Sequence, residues 1–288
     1  MKILGIHCST VNTSACILVN GQIKFAIQEE RITREKFTGD FPEQSIKACL
    51  NYEGINFKDL DYVVVGWNPS MFMKRFNPVI SSKNIKQFNF YLLSDNLFKF
   101  SDRQFGDFTK IEHDNSNFPK IIHLNHHLAH AGNAFYLSNF KEAAILTCDF
   151  RGEFSSTSFC YGKKNKIKTL EVQDLPHSLG MFYSTFTELL GYKADSDEWK
   201  VMAMSAYNYK CDEYVKKIKK TFKLKKNGKL ELISKYFSYF LYGSPHHLYT
   251  EELLKLLNIK KIIKTNSPTI SQIKIAKALQ ICAEEIAS

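Results

Sequence analysis

Four of the nine histidines lie within eight residues, at His123, His126, His127 and His130. His126 and His130 are four apart, so on a helix they share one face with about 5–6 Å between their Cβ atoms. That spacing lets two imidazoles close on one metal ion. Asp149 ends the apolar run Ala143-Ala144-Ile145-Leu146-Thr147-Cys148, which reads as a buried strand. A carboxylate at a strand end is placed to become a third ligand. An i,i+4 histidine pair by itself is more often polar surface than a ligand set. With the carboxylate added, spacing alone leaves a metal site and a plain helix face evenly matched.

Several elements must position these groups. Ile121-Ile122-His123-Leu124 reads as a strand, and Asn125 is a good N-cap for the helix carrying the pair. The chain opens on three short strands, Lys2–His7, Ser14–Val19 and Gln22–Ile27, with Asn20-Gly21 as a hairpin turn. Pro42 followed by Ile46, Cys49 and Leu50 predicts a helix over 43–53. Asp61–Trp67 is almost wholly apolar, as in the parallel part of an α/β sheet. Residues 68–118 read as an insertion covering that sheet, with helical stretches around 83–100. From 143 the β pattern restarts, with strands Ala143–Asp149, Ser156–Tyr161 and Ile167–Val172. A helix over Phe182–Leu190 ends at Gly191, and a long amphipathic helix spans Ser271–Ile286.

Two three-stranded meanders of equal size predict a duplicated α/β architecture, with subdomains over 1–140 and 141–288 facing a cleft. The first meander, with its small polar turn, resembles the opening of the actin/hexokinase-like ATP-binding fold, where that turn approaches the phosphates. The last helix lacks a C-cap, so the second subdomain is expected to be cut short at residue 288.

Composition narrows the classes. With 44% hydrophobic and 14% aromatic residues in 288, the chain has ample material for a packed core and is not a disordered protein. Seven scattered cysteines without a CxxC point to reduced thiols and a cytoplasmic location. No signal peptide is expected before Lys2-Ile3-Leu4, and no apolar run nears the ~20 residues needed to span a bilayer. The net charge of +10 owes much to eight lysines within 216–229. Such a run is more often a solvated face than a nucleic-acid site, and a basic protein also suits a small anionic substrate.

Four ordered blocks carry a resemblance. They are Glu29-Glu30-Arg31-Ile32-Thr33-Arg34-Glu35-Lys36 with Phe41-Pro42; His126-His127-Leu128-Ala129-His130-Ala131 with Ala134-Phe135-Tyr136; Pro176-His177-Ser178-Leu179-Gly180-Met181-Phe182-Tyr183; and Trp199-Lys200-Val201-Met202. Together they resemble the NodU/CmcH-type O-carbamoyltransferases. That family joins an N-terminal domain similar to the universal tRNA threonylcarbamoyl transferase to a C-terminal YrdC-like domain. The resemblance implies that the YrdC-like part makes carbamoyl-adenylate from carbamoyl phosphate and ATP. The N-terminal part then passes the carbamoyl group to a hydroxyl of a sugar, antibiotic or Nod factor. It places iron(II), or another divalent metal, on His126, His130 and Asp149, a donor set suited to that ion as Lewis acid and template. Lys36, His177, Ser178 and Lys200 become candidates for binding the nucleotide. For His177 a hydrogen-bonded core role stands beside that one, and for the two lysines a surface role does.

The sequence also departs from the family. Where the family's first turn has a histidine, here stands Val11, which cannot take a proton from an acceptor hydroxyl, so no catalytic base is assigned. Phe150 replaces a glycine after the aspartate, while Gly152 and Glu153 fit the pattern. The chain ends before the family's GGxAxN nucleotide segment, a further carboxylate ligand and the YrdC-like domain, so a C-terminal domain or subunit is the expected partner. The expected function is therefore the N-terminal part of an ATP-dependent O-carbamoyltransferase. The alternative is a non-catalytic binding or assembly relative. A sugar kinase ranks lower, since it has no use for the paired histidines.

Overall fold

The computed structural model describes residues 1–8, 11–68, 97, 118–238, 247–260 and 267–288. It divides into two compact units, residues 1–130 and 131–288. The insertion expected over 68–118 lies outside the described residues, apart from Asn68, Leu97 and Phe118.

In the first unit, β1 (Lys2–His7), β2 (Ser14–Val19) and β3 (Gln22–Gln28) form an antiparallel meander. Asn20 and Gly21 both take positive φ, 51° and 80°, the backbone a two-residue hairpin needs to match strand twist. A short helix α1 (Glu29–Thr33), not expected from the pattern, leads to α2 (Glu43–Glu53). Two strands parallel to β1 complete the sheet, β4 (Tyr62–Val65) and β5 (Lys120–His123), in the order β3-β2-β1-β4-β5.

The core of this unit sets Leu4, Ile6, Ile17, Val63 and Val65 of the sheet against Ile46, Cys49 and Leu50 of α2. Buried Glu29 ties α2 down. Its carboxylate accepts from the amides of Gln44 and Ser45 at 2.9 and 2.7 Å, two first-turn donors with no partner inside the helix. The acidic block that carries part of the family resemblance thus begins with a structural carboxylate.

Helix α3 (His126–Tyr136) is continuous, although the division between units falls within it. In the second unit, β6 (Glu142–Cys148), β7 (Ser155–Lys163) and β8 (Lys166–Asp174) form the second antiparallel meander. Ala131 and Phe135 of α3 pack on it with Ile145 and Cys160. Next come α4 (Leu179–Leu189), α5 (Glu198–Ser205), α6 (Asp212–Ile218), a small hairpin of β9 (Phe222–Leu224) and β10 (Leu230–Leu232), α7 (Glu251–Leu257) and α8 (Ile270–Ala287). Their core joins Phe182, Phe186 and Leu189 to Leu253, Leu257, Ile275 and Leu279.

The antiparallel β1–β3 continued by parallel strands, with a second meander later in the chain, gives the actin/hexokinase-like α/β class expected from the sequence. Two details differ. Helix α4 starts at Leu179, three residues before the expected Phe182, because Ser178 caps it by accepting from the Met181 amide at 3.1 Å. Helix α5 had no expected counterpart, since its apolar residues do not fall on one stripe. Of the eight lysines in 216–229, four form ion pairs, Lys217 with Glu213, Lys219 with Glu285, Lys225 with Glu231 and Lys229 with Glu171. No helix among the described residues is long and apolar enough to cross a membrane.

Candidate functional site

The paired histidines come together as helical spacing requires. Asn125 caps α3, its Oδ1 accepting from the Leu128 amide at 3.0 Å. One turn apart, His126 and His130 bring their Nε2 atoms to 3.0 Å, with ring centroids 4.5 Å apart. Two nitrogens bound at about 2.1 Å on adjacent corners of one ion stand about 3.0 Å from each other. The pair is therefore spaced as two neighbouring ligands would be.

The first unit also settles a tautomer. His126 Nδ1 lies 3.2 Å from the carbonyl oxygen of Gly66. A carbonyl only accepts, so Nδ1 carries the proton and Nε2 presents its lone pair to His130 Nε2. A backbone carbonyl behind a metal-binding imidazole is the usual outer support of such sites. The Trp67 indole packs edge-on to the His126 ring at 5.1 Å, and the Trp67 carbonyl accepts from His123 Nδ1 at 3.2 Å. His127 is buried. The β4 end at Gly66-Trp67 is thus part of the histidine site, and no spacing rule linked it to residues 60 positions on.

In the second unit, Asp149 follows β6 directly. Its Oδ1 accepts from the Phe150 amide at 2.6 Å, and its own amide donates to Ser156 at 2.9 Å. Ser178 Oγ reaches back to the carbonyls of Asp149 and Phe150, at 3.0 and 2.8 Å. The start of α4 and the end of β6 are held against each other by one side chain. Gly180 makes this approach possible, since a methyl there would come 2.6 Å from Phe150 Cα.

The four nucleotide candidates have varied settings. Lys36 is exposed. Lys200 pairs with Asp197 at 2.7 Å and lies over the Trp199 ring. His177 Nδ1 accepts from the Leu232 amide at 3.2 Å, and burial depresses its pKa, so it is held as the neutral imidazole. Ser178 caps α4 as described. At the first turn Val11 stands where a base was looked for, and its carbonyl accepts from His7 Nε2 at 3.2 Å.

Sequence reasoning passed over Arg151 and Asp195. Burial pushes the Arg151 guanidinium below its ordinary pKa against the opposing pull of Asp195 and Asp149. Burial first, then the neighbouring Glu198, raises the Asp195 carboxyl. Asp195 also holds a left-handed φ of 58°, an uncommon backbone state for a residue with a side chain. An arginine beside the strand-end aspartate, inside Asp149-Phe150-Arg151-Gly152-Glu153, was the available signal.

Among curated proteins, an uncharacterized protein of Synechocystis sp. is 29% identical over 296 residues, covering 99% of this chain and 46% of that protein. The nodulation protein NolNO of Sinorhizobium fredii is 30% identical over 200 residues, covering 68% of this chain and 28% of that protein. The chain therefore spans less than half the length of either relative. Among solved structures, component A of the (R)-2-hydroxyglutaryl-CoA dehydratase of Acidaminococcus fermentans aligns over 98% of this chain and 88% of that one, at 13% identity and a TM-score of 0.40. The carbamoyltransferase N-terminus family matches residues 2–285, nearly the whole chain and all four of its recognisable blocks, and the chain belongs to that family.

Proposed function

We propose that this chain is the N-terminal part of an ATP-dependent O-carbamoyltransferase, moving a carbamoyl group from carbamoyl-adenylate to a hydroxyl of a sugar or natural product. We further propose that His126, His130 and Asp149 hold one divalent cation, iron(II) by preference for a His₂-carboxylate set. These three residues are a donor set of the kind that could hold a metal ion.

One observation carries the reading. The Gly66 carbonyl holds His126 in the Nδ1-protonated tautomer, so that its Nε2 lone pair and His130 Nε2 face each other at 3.0 Å. Helix α3 runs unbroken from that pair into Ala131 and Phe135, which pack on β6 and β7, and β6 ends one residue before Asp149. When bound, the cation would supply Lewis-acid polarisation and a template for the donor's oxygens. The protein's own part is to orient its ligands. Gly66 fixes His126, while Ser178 and the Phe150 amide fix the main chain and side chain of Asp149. A C-terminal YrdC-like domain or subunit supplying the adenylate is part of the proposal.

The test is metal content of untagged protein loaded with iron(II) under anaerobic conditions, for the wild type and for His130→Ala. The expected result is about one metal per chain, lost in the variant. Equal metal content in both would remove the site. Adding the C-terminal half of a homologous carbamoyltransferase with carbamoyl phosphate and ATP should then yield carbamoylated acceptor.

A second reading follows from Val11, an aliphatic side chain where the family has a base. A non-catalytic binding relative would keep the fold and the metal yet transfer nothing, even after Val11→His and addition of the C-terminal half.

A further inference from the structure

Helix α5 is apolar on both sides. Its inner side sends Val201 and Met204 into the core of the second unit, at 0% and 4% exposure. Its outer side, with the turn that follows, carries Trp199, Met202, Ala203, Ala206 and Tyr207, and all five are exposed. Their spacing of i, i+3, i+4, i+7 and i+8 puts them on one face. The two tryptophans of the chain differ sharply, Trp67 being 8% exposed and Trp199 61%. Tryptophan is well buried on average, and a stripe of large apolar side chains in water marks a surface that meets a partner.

Size decides what kind of partner. The stripe runs over about 12 Å of helix. A stable protein interface engages about 20–30 residues a side, so five side chains suit a small molecule. Trp199 and Tyr207 stand at the two ends with Ala203 and Ala206 between them, which makes a shelf with an aromatic ring at each end. Polar groups edge both rings. Lys200 Nζ pairs with Asp197 at 2.7 Å and lies 5.3 Å from the Trp199 ring centroid. At the other end Lys277 Nζ donates to the Tyr207 carbonyl at 3.4 Å and to Asn208 Oδ1 at 3.5 Å. A sugar ring has an apolar face of C–H groups edged by hydroxyls, which matches an aromatic face edged by ammonium, carboxylate and carboxamide groups. A single flat base would use one ring of the two.

The shelf is built onto the same helix that supports the strand-end aspartate. Ser184 of α4 donates to Glu198 at 2.6 Å, which holds the first turn of α5. Ser178, whose Oγ donates to the Asp149 and Phe150 carbonyls, lies six residues earlier, about 9 Å along the helix axis. We propose that the outer face of α5 is a carbohydrate platform, on which Trp199 and Tyr207 stack sugar rings of the acceptor, with Trp199 as a specificity-determining residue. Calling that sugar the carbamoyl acceptor rests on the function proposed above, whereas sugar binding on the platform does not.

The purified chain is titrated with three tetrasaccharides, the β-1,4 tetramers of N-acetylglucosamine and of glucose and the α-1,4 tetramer of glucose. Calorimetry gives affinity, and iodide quenching of tryptophan fluorescence reports access to Trp199. At least one tetrasaccharide should bind the wild type and lower its quenching about twofold or more, since Trp67 is buried. Trp199→Ala should weaken that binding about tenfold or more, and Trp199→Phe, which keeps a stacking face, should weaken it less. The quenching of the wild type reads the site even if a variant fails to fold. Binding of none of the three, or equal affinity in Trp199→Ala, overturns the proposal. So does protection of Trp199 by adenosine monophosphate alone, or wild-type self-association in sedimentation that Trp199→Ala abolishes. With the C-terminal half of a homologous carbamoyltransferase, carbamoyl phosphate and ATP added, Trp199→Ala should raise KM for the bound tetrasaccharide and leave kcat within about twofold. Carbamoylation with unchanged KM overturns the platform. Sugar bound through Trp199 without carbamoylation supports the platform and counts against the transferase reading instead.

Discussion

The contact between Gly180 and the Asp149-Phe150 backbone permits a prediction whose sign is decided by geometry. A glycine in a helix is ordinarily improved by alanine, by up to about 1 kcal/mol from propensity and lost unfolded-state entropy. At Gly132, within α3, a methyl would meet, among the described residues, only the Tyr136 ring, at 3.7 and 3.8 Å. That is ordinary contact distance, so Gly132→Ala should stabilise by about 0.5–1 kcal/mol. At Gly180 the same methyl would stand 2.6 Å from Phe150 Cα, 2.7 Å from Phe150 N and 3.0 Å from Asp149 C. These are backbone atoms and cannot rotate away. Overpacking of this kind costs about 1–3 kcal/mol, which outweighs the propensity gain, and Gly180→Ala should destabilise by about 1–2 kcal/mol. Urea unfolding followed by far-UV circular dichroism measures both, and the midpoints should move in opposite directions at similar slope. On the proposed metal site, the shift at Gly180 should also displace Asp149 and lower the metal content. Gly180→Ala as stable as Gly132→Ala would refute the claim that α4 and the β6 end are in contact.

Two further outcomes follow from single groups. Glu29→Ala removes a buried carboxylate and strands the amides of Gln44 and Ser45, so unfolding free energy should drop by about 2–4 kcal/mol, with Glu29→Gln in between. Burial depresses the His177 pKa from its ordinary 6.5, so the unfolded chain takes up that proton at higher pH than the folded one. The stability this group contributes is complete above pH 6.5 and drains away as pH falls through that value toward the depressed one. His177→Asn can place an oxygen where Nδ1 accepts from Leu232 without titrating, and should flatten that part of the stability profile in urea unfolding at pH 5–8.

The β framework was readable because alternation and turn chemistry are local. Asn20-Gly21 announced the first hairpin, and Pro42 with Ile46, Cys49 and Leu50 placed α2 within its observed bounds. Helix α4 was placed late because its signal is a cap, and Ser178 looks like one only when Met181 is known to donate to it. Helix α5 escaped because its role is to pack Val201 and Met204 on the core while exposing Trp199 and Met202, and four such residues leave little periodicity.

The histidine site shows where local reading stops. Spacing put His126 and His130 on one face, but the same spacing describes any exposed pair. What separates a ligand pair from a surface pair is the proton on the other nitrogen. For His126 that proton is held by a carbonyl 60 residues earlier in the chain, at the end of a strand whose own sequence says only that it is buried. Groups of this kind are specified by what the fold places behind them. In this chain Gly66 at the end of β4 and the Gly180 contact play that part, and neither residue has a side chain of its own.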